Sequence, residues 1–221
     1  MPGKSYMLKN LLTLVICCSL LGCRIEVNVG LGVYDDGDFR FINNTDLTMT
    51  FFIKNTLQSG NVFDSDYEIV TVNPQRLSND VRYRWLKENA VNQIASQDTN
   101  SRMIGQSLTA SLRDKEDYWV VSWLLNQSNY RLSLFSRRQN DTAGEFQVRI
   151  FANQTLQIDL NDPSTASLVA EAGLVTPFYS IAQCDDLTVG DIAVDLCQAG
   201  EIGRSYLVIV DANGQVVIAR E

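Results

Sequence analysis

The sequence predicts an all-β protein: two tandem antiparallel β-sandwich (Ig-like) domains behind an N-terminal leader. Three observations carry this. Apolar and polar residues alternate, runs of aromatic and β-branched residues are paired across short turns, and one strand pattern recurs later in the chain. Alternation with a period of two is the mark of a half-buried strand, because successive side chains point to opposite faces of a sheet.

Taken in order, Ile25, Val27, Val29, Leu31 and Val33 alternate with Arg24, Glu26, Asn28, Gly30 and Gly32, which predicts a strand. Asp35-Asp36-Gly37-Asp38 is expected to be a solvated turn and not a calcium loop. Residues 77–97 carry two signals. Ser78 is a candidate N-cap ahead of Leu86, Ala90 and Ile94 at helical spacing, whereas Val81, Tyr83 and Trp85 alternate with Arg82 and Arg84. The alternation favours an extra hairpin over a short helix. Residues 118–125 and 130–135 flank a polar 127–129 as a hairpin, and 206–210 and 216–219 flank Asp211-Ala212-Asn213-Gly214 as another. Asn-Gly supplies the positive φ angles that a tight turn requires. Trp119 and Trp123 share a strand face with Val121. Burial between sheets is the expected fate of that face, and an aromatic platform for a sugar ring or a protein partner is the functional alternative.

An internal repeat organises the chain. The segment from Phe39 to Met49 aligns without gaps on that from Val148 to Ile158, matching Arg40 to Arg149, Asn44 to Asn153 and Leu47 to Leu156 at a separation of 109 residues. The late strands align Tyr118 with Tyr206, 88 apart, so the first copy carries about 21 extra residues, expected near 77–97. The predicted organisation is therefore a leader over 1–22, a first sandwich over 23–140 and a second over 141–221.

The leader has Lys4 and Lys9 ahead of an apolar run, 11–21, that is too short to cross a bilayer as a helix. A positive start and a short apolar stretch are features of secretory signals. The run closes on Leu20-Leu21-Gly22-Cys23, which resembles the lipobox of bacterial lipoproteins. The resemblance implies cleavage before Cys23, acylation of its thiol and new amine, and, because Arg24 and not Asp follows, an outer-membrane address facing the periplasm, with surface display as a variant. The hydrophobic-Arg-hydrophobic strand followed by Asn and a polar turn also resembles secreted tandem β-sandwich envelope domains of unknown function. That likeness implies no catalytic residues to carry over.

Composition narrows the chemistry. The full chain has 18 basic and 26 acidic side chains and no histidine. Without the leader and its two lysines the net charge is −10, which argues against nucleic acid as a partner. Lack of histidine removes the usual general base and commonest metal ligand. Asp185, Asp186, Asp191 and Asp195 fall in one short loop, which predicts a solvated acidic loop ahead of a glycosidase pair. That loop is bounded by Cys184 and Cys197, expected to form a disulfide in an oxidising compartment, with no metal and no cofactor. The expected function is a non-enzymatic, lipid-anchored binding or scaffolding module, its partners being the membrane and an envelope protein or glycan. The alternative is a carbohydrate-binding or carbohydrate-processing envelope protein.

Overall fold

The computed structural model describes residues 33–103, 105–125, 129–161, 167–198, 200–211 and 213–221. The predicted leader, Cys23 and the alternating segment 24–32 lie outside the described residues, as do residues 126–128 and Ala212. Val33–Glu221 forms a compact unit.

The first repeat contributes β1 (Tyr34–Asn44), β2 (Met49–Asn55), β3 (Glu68–Val72), β4 (Arg76–Leu77), β5 (Val81–Leu86), β6 (Val91–Asp98), β7 (Gly105–Ser111), β8 (Tyr118–Leu125) and β9 (Asn129–Ser136). The second contributes β10 (Phe146–Ala152), β11 (Leu156–Asp159), β12 (Leu168–Ala170), β13 (Tyr179–Ile181), β14 (Leu187–Val189), β15 (Ile192–Val194), β16 (Ser205–Val210) and β17 (Val216–Arg220). One sheet of the first repeat runs β4-β1-β8-β9 with β5 also on β1, and the other runs β3-β2-β6-β7. The second repeat reproduces both orders as β13-β10-β16-β17 and β12-β11-β14-β15. The all-β sandwich expected from the sequence is what the chain forms.

The sheets depart from the antiparallel expectation at one place in each repeat. β1 pairs parallel with β8, and β10 parallel with β16. Parallel neighbours need a long crossover; here the chain visits the opposite sheet between the two strands. Phe39 pairs with Tyr118 and Val148 with Tyr206, so the two alignments read from sequence meet in equivalent registers. A second equivalence lies in the tyrosines themselves. Tyr118 Oη accepts from Arg113 N at 2.8 Å and Tyr206 Oη from Glu201 N at 2.6 Å, each five residues upstream. This is the tyrosine corner that fixes the entry of a strand in Greek-key sandwiches.

Alternation decides which face each strand gives to which core. In β8, Tyr118 and Val120 join Phe39, Phe41, Phe51 and Trp85 in the first core. In β10 and β16, Val148, Ile150, Tyr206 and Val208 join Val189 and Leu187 in the second. The opposite faces of the same strands supply a third core of Ile42, Trp119, Val121, Trp123, Phe151, Leu207 and Ile209. β8, β10 and β16 are therefore covered on both faces, which is why they are nearly continuous apolar runs.

One expectation about the strands is corrected. Asp35-Asp36-Gly37-Asp38 is not a turn but part of β1, paired with β5. Arg82 reaches Asp36 and Asp38, and Lys115 lies 3.4 Å from Asp36, so cations remote in sequence neutralise the acidic run. Burial raises the Asp36 carboxyl's pKa, but those charges and hydrogen bonds outweigh it and hold the group below the usual aspartate range. Gly37 is required because a Cβ there would lie 2.3 Å from the Glu116 carbonyl oxygen. Residues 77–97 form strands, as the alternation favoured, and β1 carries both β4 and β5 where β10 carries β13 alone. β2, β6 and β7 are 7, 8 and 7 residues long against 4, 3 and 3 for β11, β14 and β15, so much of the extra length extends existing strands and their connections. The tryptophan face is buried, as expected, and does not form the alternative open platform.

Candidate functional site

Trp119 is fully buried and Trp123 nearly so. Both sit in the third core, between the repeats, and not within the first sandwich. Trp119 Nε1 donates to Glu221 Oε2 at 2.8 Å, and the guanidinium carbons of Arg137 and Arg40 lie 4.9 and 5.8 Å from its ring centre. Trp123 Nε1 donates to Ser133 Oγ, and its ring edge packs where Gly173, at φ +75°, leaves no room for a Cβ. What could have bound a sugar ring is occupied by the other repeat.

The contact between repeats is reciprocal. Arg149 Nη2 donates to the Ser136 carbonyl at 2.9 Å, and Arg40 Nη1 to the Arg220 carbonyl at 3.4 Å. Arg40 and Arg149 are repeat equivalents, and Ser136 and Arg220 are the partners of Tyr118 and Tyr206 in the last hairpins. The apolar contacts obey the same rule, pairing Ile42 with Phe151, Trp119 with Leu207, and Val121 with Ile209 as equivalents in one cluster. Self-complementary contacts of this kind belong to a twofold interface, here built within one chain. Symmetry fails in the charges. Arg149 closes a buried ion pair with Glu221, whose side chains are 6% and 0% exposed, while Arg40 faces the half-exposed Asp80 at 3.2 Å.

At one end of this junction a cavity of about 430 Å³ draws on both repeats. Asn44, Asp46 and Gln75 line it from the first, and Asn153, Asp211 and Gln215 from the second, with Pro74 and Leu124 as apolar wall. Asn44 and Asn153 are the equivalent asparagines of the repeat, 2% and 4% exposed. Among the described residues Asn44 has no hydrogen-bond partner at either amide atom, and Asn153 Oδ1 and Gln75 Oε1 also have none. Its neighbour Asn43 points to the other face and is fully engaged: Nδ2 donates to Leu47 and Val72 carbonyls at 2.7 and 2.9 Å, while Oδ1 accepts from Thr45. Asp211 shapes the last hairpin, its Oδ1 accepting from Asn213 N and Gln215 N at 2.9 and 2.8 Å. Asp46 accepts from Tyr130 Oη at 3.0 Å. Burial, then that bond and the Asp46 charge, push the Tyr130 phenol up to about 12, so it remains a donor. No Lys or Arg among the described residues lines this cavity.

A larger cleft of about 610 Å³ beside Phe135, Arg138, Arg149 and Phe178 is less promising, because the Arg149 guanidinium is committed to Glu221 and Ser136. Cys184 and Cys197 form the expected disulfide, with Cα atoms 5.2 Å apart. Asp195 lies near both sulfurs, but a disulfide offers no thiolate to a metal. Asp185, Asp191 and Asp195 are exposed and Asp186 is half-buried, but the segment is a hairpin and not the expected solvated loop: β14 pairs with β15, and Leu187, Val189 and Val194 are buried in the second core. Sequence reasoning aligned Asn44 with Asn153 but did not see a site there; the signal available was an asparagine kept polar where a strand end meets a buried face. No protein-family model matches the chain, and no curated protein matches it.

Proposed function

We propose that this protein is a non-enzymatic binding or scaffolding module of a bacterial envelope, held at the periplasmic face of the outer membrane by a lipid on Cys23. In this reading the repeats are two immunoglobulin-like domains, 23–140 and 141–221, and the lipobox-like Leu20-Leu21-Gly22-Cys23 supplies the anchor. Several buried acyl chains at about 0.8 kcal/mol per methylene make such anchoring lasting. The observation that carries the binding half is the junction cavity, where both amide atoms of Asn44 and Oδ1 of its equivalent Asn153 have no hydrogen-bond partner among the described residues. The acidic composition and the lack of histidine favour recognition of a neutral or basic partner over nucleic-acid binding or His-based catalysis.

The test has two readouts. Intact mass of the protein from a membrane extract should correspond to a chain beginning at acylated Cys23, and Cys23→Ser should release it from the membrane. In-cell cross-linking should then capture an envelope component with the lipidated form alone. An unlipidated mature mass would sink the anchor, and identical capture by Cys23→Ser would sink the anchored module.

A further inference from the structure

We infer that the cavity between the repeats is a binding site for a neutral saccharide, read by the amides of Asn44, Asn153 and Gln75. The inference rests on the binding-module reading and names the ligand class of that same site. Its starting point is a contrast between adjacent residues. Asn43 and Asn44 are both buried in one strand, yet every polar atom of the Asn43 side chain is engaged and neither amide atom of Asn44 is. Buried polar groups are nearly always hydrogen-bonded, and one left alone is unfavourable. Here the same residue type recurs at the equivalent position of the second repeat, beside the same cavity, with Oδ1 again unpartnered.

The unpartnered atoms select the ligand. Three are acceptors, Asn44 Oδ1, Asn153 Oδ1 and Gln75 Oε1, and one is a donor, Asn44 Nδ2. An anion would satisfy only the donor and would face Asp46 and Asp211 with no cationic side chain lining the cavity. A hard cation prefers oxygen ligands and would leave Nδ2 unmet. A hydroxyl both donates and accepts, so adjacent hydroxyls of a sugar match an amide that needs one of each. The volume falls in the range of small-molecule sites, far above that of a single ion. Pro74 and Leu124 offer apolar surface to ring C–H groups. Asparagine χ2 is a broad torsion, so turning either amide toward a ligand requires little reorganisation. Placement on the twofold junction gives the site the equivalent asparagine of each repeat, so a hydroxyl pair that meets Asn44 can be joined by a further hydroxyl donating to Asn153 Oδ1.

The experiment uses the full lipidated chain in detergent. N-acetylglucosamine, glucose, galactose and mannose, and the β-1,4-linked disaccharides of the first two, are titrated with saturation-transfer NMR and thermal unfolding as readouts. At least one probe should bind saturably and raise the melting temperature with concentration. Asn44→Leu and Asn153→Leu, close in volume and apolar, should keep the circular dichroism of the parent and weaken that binding about tenfold or more, the loss of one or two hydrogen bonds. Gln75→Ala, at a half-buried turn, serves if Asn44→Leu does not fold. Absence of binding by every probe, or equal binding by parent and variants, overturns the saccharide site. Calcium that stabilises the parent but not Asn44→Leu, with no sugar doing so, overturns it in favour of a cation.

The same variants enter the cross-linking experiment. Unchanged capture without sugar binding sinks the saccharide site and leaves the module standing. Capture of a protein that is lost in Asn44→Leu, again without sugar binding, gives the cavity to a protein partner instead. Neither capture nor sugar binding removes both readings.

Discussion

The two repeats share a strand order but hold it by different means. The first has long strands in its outer sheet and an aromatic core of Phe39, Phe41, Phe51, Trp85 and Tyr118. The second has an outer sheet of 3- and 4-residue strands, a mainly aliphatic core around Phe146 and Tyr206, and the Cys184–Cys197 disulfide at the edge of that core. Short strands bury little apolar surface and few ladder hydrogen bonds, and small cores are where covalent staples recur. One topology can thus be secured by packing or by a cross-link. A difference of the same kind runs through the junction, where equivalent arginines meet a buried carboxylate on one side and a wet one on the other.

The largest effect should come from the side chain that joins the repeats. Trp119→Ala is expected to cost about 3–5 kcal/mol in urea unfolding, by leaving a cavity and stranding Glu221, Arg137 and Arg40. Leu207→Ala, its counterpart, should cost less because it removes less volume and no hydrogen bond. Normal stability of Trp119→Ala would break the picture of a junction core.

Next come the arginines. Arg149→Met leaves the Glu221 carboxylate buried without its cation and should cost about 3–5 kcal/mol, whereas Arg40→Met faces a half-exposed Asp80 and should cost about 1 kcal/mol or less. Equal costs in the same unfolding assay would mean that the junction is electrostatically symmetric after all.

Replacing Cys184 and Cys197 together by Ala should cost about 3 kcal/mol in the chain-entropy view of the cross-link. Reductant should lower the melting temperature of the parent and leave the double variant unmoved. A parent insensitive to reductant would remove the staple from the comparison.

The smallest effect concerns acid. Hydrogen bonds from Gln139 and Ser205 hold the Asp141 carboxyl well below the usual carboxylate range against a smaller opposing contribution from burial, with Arg204 adding to the lowering. A depressed folded pKa adds stability above the unfolded value, near 3.9, and that stability is lost as pH falls toward the folded pKa. Asp141→Asn should therefore melt slightly below the parent at pH 6 and show a flatter decline between about pH 4 and 2. Parallel acid limbs would show that Asp141 does not tie the start of the second repeat to β16.

Much of this architecture was legible in the chain. Period-two alternation located strands, Asn-Gly located the last hairpin, and the recurrence of Arg40, Asn44 and Tyr118 at Arg149, Asn153 and Tyr206 anticipated equivalent registers. Cys184 and Cys197 stood as the natural pair. The site was half legible: the matched asparagines were visible, but nothing in Asn43-Asn44 tells which amide finds partners and which does not. The acidic run at Asp35–Asp38 misled because Arg82 and Lys115, which neutralise it, lie tens of residues away. The tryptophan face was correctly seen as a shared face, but what covers it was not.

The class of structure, the repeat and the sign of the net charge can be read from the chain alone, because they follow from local periodicity and composition. It takes the packed fold to show that the outer face of one repeat is the inner face of a junction, that equivalent arginines end in unlike environments, and that two asparagines 109 residues apart line one cavity. Alternation states that a side chain is turned to one face of a sheet; it carries no information about the surface that comes to lie against that face.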